Sequence, residues 1–249
     1  MSGADHKLDQ FFQGLEKGIP LEYLSEESYF YNFPLRVDRR VLIPRKETEL
    51  LVEGALATLH RLAKTSLAAI NILDVGTGSG AIALALALNY EGKTPVTITA
   101  VDISPLALVL AEQNARRLRY ALSPHCCLKW YRGDCLQWDW KVEAEYHLIV
   151  SNPPYIKECD KRSVHSQVLR FEPSLALFLP DEEYEKWYET FFSKLKKNLV
   201  SDGEAWIEGS EDHLRTLQSI ARKLDLRAEI KQDYTSRDRF LVLHRGDCG

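Results

Sequence analysis

Ile70-Asn71-Ile72-Leu73-Asp74-Val75 is a short apolar run that ends directly in Gly76-Thr77-Gly78-Ser79-Gly80, and an Ala/Leu-rich segment follows through Leu88. A second β-prone run, Val96 to Val101, ends in Asp102. This order of strand, glycine turn, helix and strand restricts the fold more than any other feature of the chain. Two parallel strands need a crossover, and a helix packed on the sheet is the usual one. Glycines permit the tight turn and let backbone N–H groups approach a ligand closely. Asp102, at a strand tip beside that turn, is placed to accept hydrogen bonds from a ribose diol. The unit therefore reads as a nucleotide-binding half.

The loop alone leaves the nucleotide open. Gly76-x-Gly78-x-x-Ala81 satisfies the dinucleotide fingerprint, with an acid about twenty residues on. The additional Gly80 fits the loop of S-adenosylmethionine-dependent methyltransferases equally well.

A second stretch, Leu148-Ile149-Val150-Ser151-Asn152-Pro153-Pro154-Tyr155-Ile156, reads as a buried strand stopped by two prolines, neither of which can donate to a sheet ladder. Ligands of open α/β sheets bind at such strand ends. Residues before proline avoid helical angles, so Asn152 and Pro153 form a stiff extended shelf. That shelf suits a planar –NH2 group: the Asn152 side-chain oxygen and the Pro153 carbonyl can each accept one hydrogen while Tyr155 packs against the plane.

Along the rest of the chain, Leu8, Phe11, Phe12 and Leu15 have helical spacing with Gly18 to stop them. Ser28 to Val37 reads as a hairpin turning near Asn32 to Pro34. A helix with Leu51, Ala55, Leu59 and Leu62 on one face follows; Glu47 and Glu49 suit its dipole, and Arg45 reads as a surface arginine. Ser104-Pro105 caps another helix. Leu128 to Tyr131 is a third strand, ended by Gly133-Asp134-Cys135, where Asp134 can cap a turn or accept from an adenine amino group. Lys157 to Arg170 is a polar, irregular stretch with the character of a mobile lid. Asp181 to Leu199 is a helix with Tyr184, Trp187, Tyr188, Phe191, Leu195 and Leu199 as a core stripe, ended by Gly203, and strand, helix and two further strands close the chain. Alternating β and α with a closing β pair predicts an α/β fold, a seven-stranded mostly parallel sheet with helices on both faces.

Composition excludes several classes. No apolar run reaches a membrane span, and the start of the chain lacks a basic, apolar leader. The five cysteines (Cys126, Cys127, Cys135, Cys159, Cys248) form no C-x-x-C pair, which argues against a disulfide framework and a zinc site and for reduced thiols in the cytoplasm. A formal charge of −4 gives no general attraction to nucleic acid.

Leu42-Ile43-Pro44-Arg45-x-Glu47-Thr48-Glu49, Asp74 to Gly80, Asp102-Ile103-Ser104-Pro105 and Asn152-Pro153-Pro154-Tyr155-Ile156, with Phe171-Glu172-Pro173 and Arg237-Asp238-Arg239, resemble the glutamine N(5)-methyltransferases of peptide chain release factors. The resemblance implies a Rossmann-like class I methyltransferase domain at residues 41–249. Residues 1–40, a helical stub and hairpin, would be a reduced form of the family's N-terminal substrate-docking region. It implies that Gly76, Thr77, Gly78, Ser79 and Gly80 border the methionine part of S-adenosylmethionine, with Asp102 on the ribose and Asp134 and Cys135 at the adenine. Asn152, Pro153, Pro154 and Tyr155 would hold the substrate amide, with Asn152, Pro153 and Tyr155 carrying the chemistry and Asn152 also bordering the donor. The implied partner is a release factor, methylated on the glutamine of its Gly-Gly-Gln loop by a monomeric enzyme that leaves S-adenosylhomocysteine and needs neither metal, membrane nor nucleic acid. An adenine amino-methyltransferase acting on DNA or RNA is the alternative, because an exocyclic amine is also a planar –NH2. A nicotinamide-dependent oxidoreductase is a more distant one.

Overall fold

The computed structural model describes residues 3–140 and 145–246; Cys248 lies outside them. Helices α1 (Gly3–Glu16) and α2 (Leu21–Ser25) precede a hairpin, β1 (Glu27–Phe30) and β2 (Phe33–Arg36). Then come α3 (Lys46–Leu62), β3 (Ile70–Val75), α4 (Ala81–Asn89), β4 (Val96–Asp102), α5 (Pro105–Leu118), β5 (Cys126–Arg132) and β6 (Tyr146–Ser151). The chain continues through β7 (Ile156–Lys157), α6 (Ser166–Phe171), β8 (Phe178–Leu179), α7 (Tyr184–Asn198), β9 (Leu199–Glu208), α8 (Leu214–Lys223), β10 (Leu226–Gln232) and β11 (Asp238–Arg245).

Seven strands form the main sheet in the order β10-β11-β9-β6-β3-β4-β5. β11 runs antiparallel to both its neighbours and the remaining pairings are parallel, as the sequence predicted. The connections run outward from β3 in both directions, so β3 and β6 flank the topological switch point. Both strands are buried on both faces, which is why they read as continuous apolar runs. One apolar core joins that sheet to α3, α4, α5 and the hairpin, and another joins it to α7 and α8. α4 is buried from Ala81 to Ala87, matching its uniformly apolar sequence. Ser104 caps α5 by accepting from the Ala107 N–H at 3.2 Å. Among the described residues no helix is long and apolar enough to cross a membrane.

Three local expectations are corrected. The hairpin turns at Tyr31 and Asn32, both at positive φ (47° and 68°), and Pro34 lies in β2, where a two-stranded pair leaves an open edge that tolerates proline. Gly203 does not end a helix: α7 stops at Asn198 and Gly203 lies inside β9, where a Cβ would come within 2.7 Å of Leu199 Cγ. The stretch from Lys157 to Arg170 is not irregular. It holds a 3₁₀ turn (Glu158–Ser163) and most of α6, and is pinned by Cys159 N–H to Asp181 (3.1 Å) and by the Asp160–His213 pair (2.8 Å).

α3 crosses the sheet so closely that Gly54 packs against the Trp206 ring, and a Cβ at residue 54 would run into it. Trp206 cannot swing aside freely, because its indole N–H donates to Glu204 and its ring packs on Phe240. Alanine in a helix is favoured over glycine by about 1 kcal/mol, but forced overpacking costs about 1–3 kcal/mol. Gly54→Ala is therefore expected to lower the urea midpoint; an unchanged or higher midpoint would contradict this packing.

Candidate active site

The hydrogen-bond register of the central strands brings the two sequence features together. Val75 pairs with Val101 on one side and with Ser151 on the other, and the Ser151 hydroxyl donates to the Val75 carbonyl at 2.7 Å. The glycine loop and the Asn152 shelf consequently emerge side by side. A Cβ built on Gly76 would meet its nearest protein atom, the Asn152 carbonyl oxygen, at 3.9 Å. Both line one cleft of about 260 Å³, whose walls also include Asp102, Asp134, Cys135 and Trp187.

The three loop glycines have different reasons. Gly76 and Gly78 have φ of 75° and 55°, and side chains there would project into the cleft rather than into the protein. Gly80 (φ 82°) is enclosed, with Ala111 and Leu84 at 3.2 Å from a Cβ position, so it serves the packing of α4. Thr77 and Ser79 line the cleft and are themselves buried.

The loop's N–H groups differ from expectation. Those of Gly76 and Thr77 donate to the Val101 carbonyl, that of Gly80 to Thr77, and that of Gly78 to the Asp102 carboxylate at 2.8 Å. These four donors are occupied within the protein, while the N–H groups of Ser79, Ala81 and Ile82, which line the cleft, have no protein acceptor among the described residues. Carboxylates surround the turn. Asp102 accepts from Gly78 and, at 2.9 Å, from Ser104 N–H, and burial holds its pKa above the usual carboxylate range. Asp134 accepts from Leu136 N–H at 2.9 Å, a turn cap that also faces the cleft. Asp74 is fully buried beneath the loop, accepting from Thr77 (2.7 Å) and Ala83 N–H (3.2 Å) through one oxygen. Among the described residues its other oxygen has no partner. Carboxylates on the wall of the cleft suit a ligand with cationic groups and sugar hydroxyls.

On the shelf, Pro153 and Pro154 line the cleft beside Asn152. The carbonyls of Pro154 and Tyr155 each accept from a tyrosine hydroxyl of α7, Tyr188 and Tyr184, at 3.2 Å. Among the described residues the Pro153 carbonyl and the Asn152 Oδ1 receive no protein donor, which leaves both available. The Asn152 Nδ2 donates to Thr48 Oγ1 at 3.1 Å, and Thr48 donates to the buried Glu208 at 2.7 Å. Tyr155 is not part of the cleft wall; its hydroxyl stands 3.5 Å from Glu208, and burial raises its pKa strongly. Cys135 is pushed up to about 12 by burial and stays a thiol.

Arg45 is not the exposed surface residue its sequence context suggested. It pairs at 2.7 Å with Glu172, whose other oxygen accepts the Ile43 N–H at 3.1 Å. This clamp on the buried Glu172 fixes the segment that carries Pro44 and Thr48 to the cleft. Thr48 and Asp74 stood in the sequence only inside longer motifs, with no role of their own; Trp187 stood in the aromatic stripe of its helix, and Glu208 was not singled out. The signal for Asp74 and Glu208 was an acid at an inward position of an apolar strand; Thr48 gave none.

Comparison with known proteins fits this geometry. A family model described as the methyltransferase small domain matches residues 49–171. Proteins named release factor glutamine methyltransferase from Chlorobaculum tepidum and Streptococcus pneumoniae are each 36% identical to the chain. The matches cover 90% and 96% of this chain and 74% and 80% of those proteins. The chain belongs to the release factor glutamine methyltransferase family. It is thus a methyltransferase with S-adenosylmethionine as its cofactor. Among solved structures, a ribosomal protein L11 methylase from Lactobacillus delbrueckii subsp. bulgaricus shares the fold at a TM-score of 0.53 and 19% identity, covering 85% of each chain. A methyltransferase from Pyrococcus furiosus does so at 0.52 and 14%, covering 85% of this chain and 88% of its own.

Burial raises Asp74 from 3.8 to about 7. The folded state therefore binds this proton more tightly than the unfolded state, and the stability it contributes is present at low pH and lost as pH rises through about 7. His147 and His244, lowered by burial, act in the opposite sense, so the test is a difference. Urea denaturation of ligand-free wild type and Asp74→Asn should show the wild type losing stability relative to the variant as pH rises from about 5 to about 7, by up to about 1.4 kcal/mol per pH unit, with the difference levelling off above that. A constant difference would contradict the raised value.

Proposed function

We propose that this chain methylates the side-chain amide nitrogen of the glutamine in the Gly-Gly-Gln loop of a peptide chain release factor. The observation that carries the reading is the pairing, in one cleft, of a glycine turn ringed by acids with a rigid ledge presenting two free carbonyl acceptors. Gly76, Thr77, Gly78 and Ser79 would border the methionine part of the cofactor, Asp102 the ribose, and Asp134 with Cys135 the adenine. The open space over Gly76 and Gly78 and the carboxylates of Asp102 and Asp134 on the cleft wall support that fit. Bound S-adenosylmethionine supplies an electrophilic methyl group on a sulfonium.

The residues of the chain have to solve a problem of orientation. An amide nitrogen is a poor nucleophile because its lone pair is delocalised. Asn152 Oδ1 and the Pro153 carbonyl would each accept one amide hydrogen, fixing the nitrogen in the plane of the shelf and stabilising the positive charge it gains. The stiffness of the double proline keeps those acceptors from relaxing. No strong base is required, since an N-alkylated amide in its cationic form loses a proton to water. Tyr155 would shape the shelf from below through its contact with Glu208. Residues 1–40, the proposed docking region, share a core with α3–α5 through Phe30, Leu35 and Val37.

Asn152→Ala should lower kcat by roughly a hundredfold or more, the usual effect of removing one preorganised polar group, while S-adenosylmethionine affinity stays within a few-fold. Asp102→Ala should do the reverse, weakening cofactor affinity in calorimetry; unchanged affinity would remove it from the site. The substrate is tested by transfer of labelled methyl to a purified release factor beside its Gly-Gly-Ala version and a DNA or RNA control. Label on the first alone is expected. Label on both proteins would refute the glutamine assignment, and label on nucleic acid would favour the adenine alternative.

A further inference from the structure

We propose that Glu208, acting through Thr48, is the positioning residue that decides which atom of the Asn152 amide faces the cleft. The inference rests on the reading of that cleft as an amide-binding site. The oxygen and nitrogen of an asparagine amide are nearly the same shape, so packing alone does not distinguish the two orientations. Hydrogen-bond direction does. Thr48 has one hydroxyl proton, and its Oγ1 lies 2.7 Å from Glu208 Oε2. An ionised carboxylate only accepts, so it takes that proton and leaves Thr48 an acceptor. An acceptor at 3.1 Å from the asparagine selects Nδ2 and turns Oδ1 to the cleft.

If Glu208 is protonated, the direction can reverse. The carboxyl then donates to Thr48, the Thr48 proton is free to reach the asparagine oxygen, and the amide turns over. Its –NH2 would then face the substrate –NH2, donor against donor, and the site would lose its acceptor. Glu208 thus acts without touching the reacting atoms, at the end of β9 and 160 residues from Thr48.

The surroundings of Glu208 are mixed. Thr48 and Glu47 face it from α3, Tyr155 from the shelf at 3.5 Å, and Arg239 from β11, itself held by Asp233 at 3.4 Å. Burial and Glu47 favour the neutral form, while Thr48 and Arg239 favour the ionised one. The balance puts its pKa at about 7, so both forms are populated near neutral pH.

Two measurements test the relay. In the first, kcat for release-factor methylation should fall below about pH 7, approaching tenfold per pH unit. Thr48→Val and Glu208→Gln should each lower kcat by about ten- to a hundredfold with cofactor affinity within twofold, and Thr48→Ser should restore most of the loss. The double variant should be no worse than the poorer single one, since both break one chain of bonds. A Thr48→Val enzyme within twofold of wild type, or losses that multiply, would overturn the relay. The second uses wild-type protein with S-adenosylhomocysteine and no substrate: the Asn152 side-chain amide signals in NMR, identified by their loss in Asn152→Ala, should shift through a transition near pH 7. Signals flat from pH 5.5 to 8.5 would overturn the relay even if a variant failed to fold. A titrating amide in a protein that leaves release factors unmethylated would uphold the relay and refute the substrate instead.

Discussion

Everything at the site depends on the register between β3 and β6. Val75 lies opposite Ser151, and the Ser151 hydroxyl closes onto the Val75 carbonyl, so the chain leaves both strands at the same level. On one side it leaves through a glycine turn, on the other through two prolines. A slip of one residue would turn every side chain of β6 to the opposite face, burying Asn152 or pointing it away from the turn. Burial of both strands on both faces is what makes such a slip costly.

From that register follows an arrangement in which backbone and side chains divide the work. The glycine turn commits four of its N–H groups to Val101, Thr77 and Asp102, and Asp102 and Asp134 place acids on the cleft wall. The proline shelf has no N–H at two successive positions; the α7 tyrosines take the Pro154 and Tyr155 carbonyls, and the Pro153 carbonyl has no donor among the described residues. Acids on the wall and carbonyl acceptors without protein donors suit a cofactor with a sulfonium and a substrate that offers two amide hydrogens. The Glu172 clamp on Ile43 and Arg45 then closes the far wall and delivers Thr48 to Asn152.

Much of this was legible in the chain. The strands, the cap at Ser104, the sheet with its antiparallel close and the two halves of the cleft all have local signatures: apolar runs, glycine spacing, Ser-Pro and Asn-Pro-Pro-Tyr. What was hidden is what depends on partners distant in sequence. Arg45 looks like a surface arginine until Glu172, 127 residues away, is folded against it. Thr48 is unremarkable between two acids until β9 brings Glu208 beneath it. Gly203 reads as a helix stop, yet close packing on Leu199 and the shifted pairing of β6 with β9 place it in a strand. Trp187 was assigned to the core stripe of its helix; it stacks on Phe191 and also reaches the cleft wall.

The central claim is that a rigid pair of carbonyl acceptors holds an amide nitrogen beside the glycine turn. It is tested most directly by a crystal structure of the protein with S-adenosylhomocysteine and a peptide containing Gly-Gly-Gln. The account predicts the glutamine Nε2 within about 3 Å of both Asn152 Oδ1 and the Pro153 carbonyl, with Asn152 Nδ2 still on Thr48. A glutamine amide bound elsewhere, or one facing the Asn152 nitrogen, would contradict it.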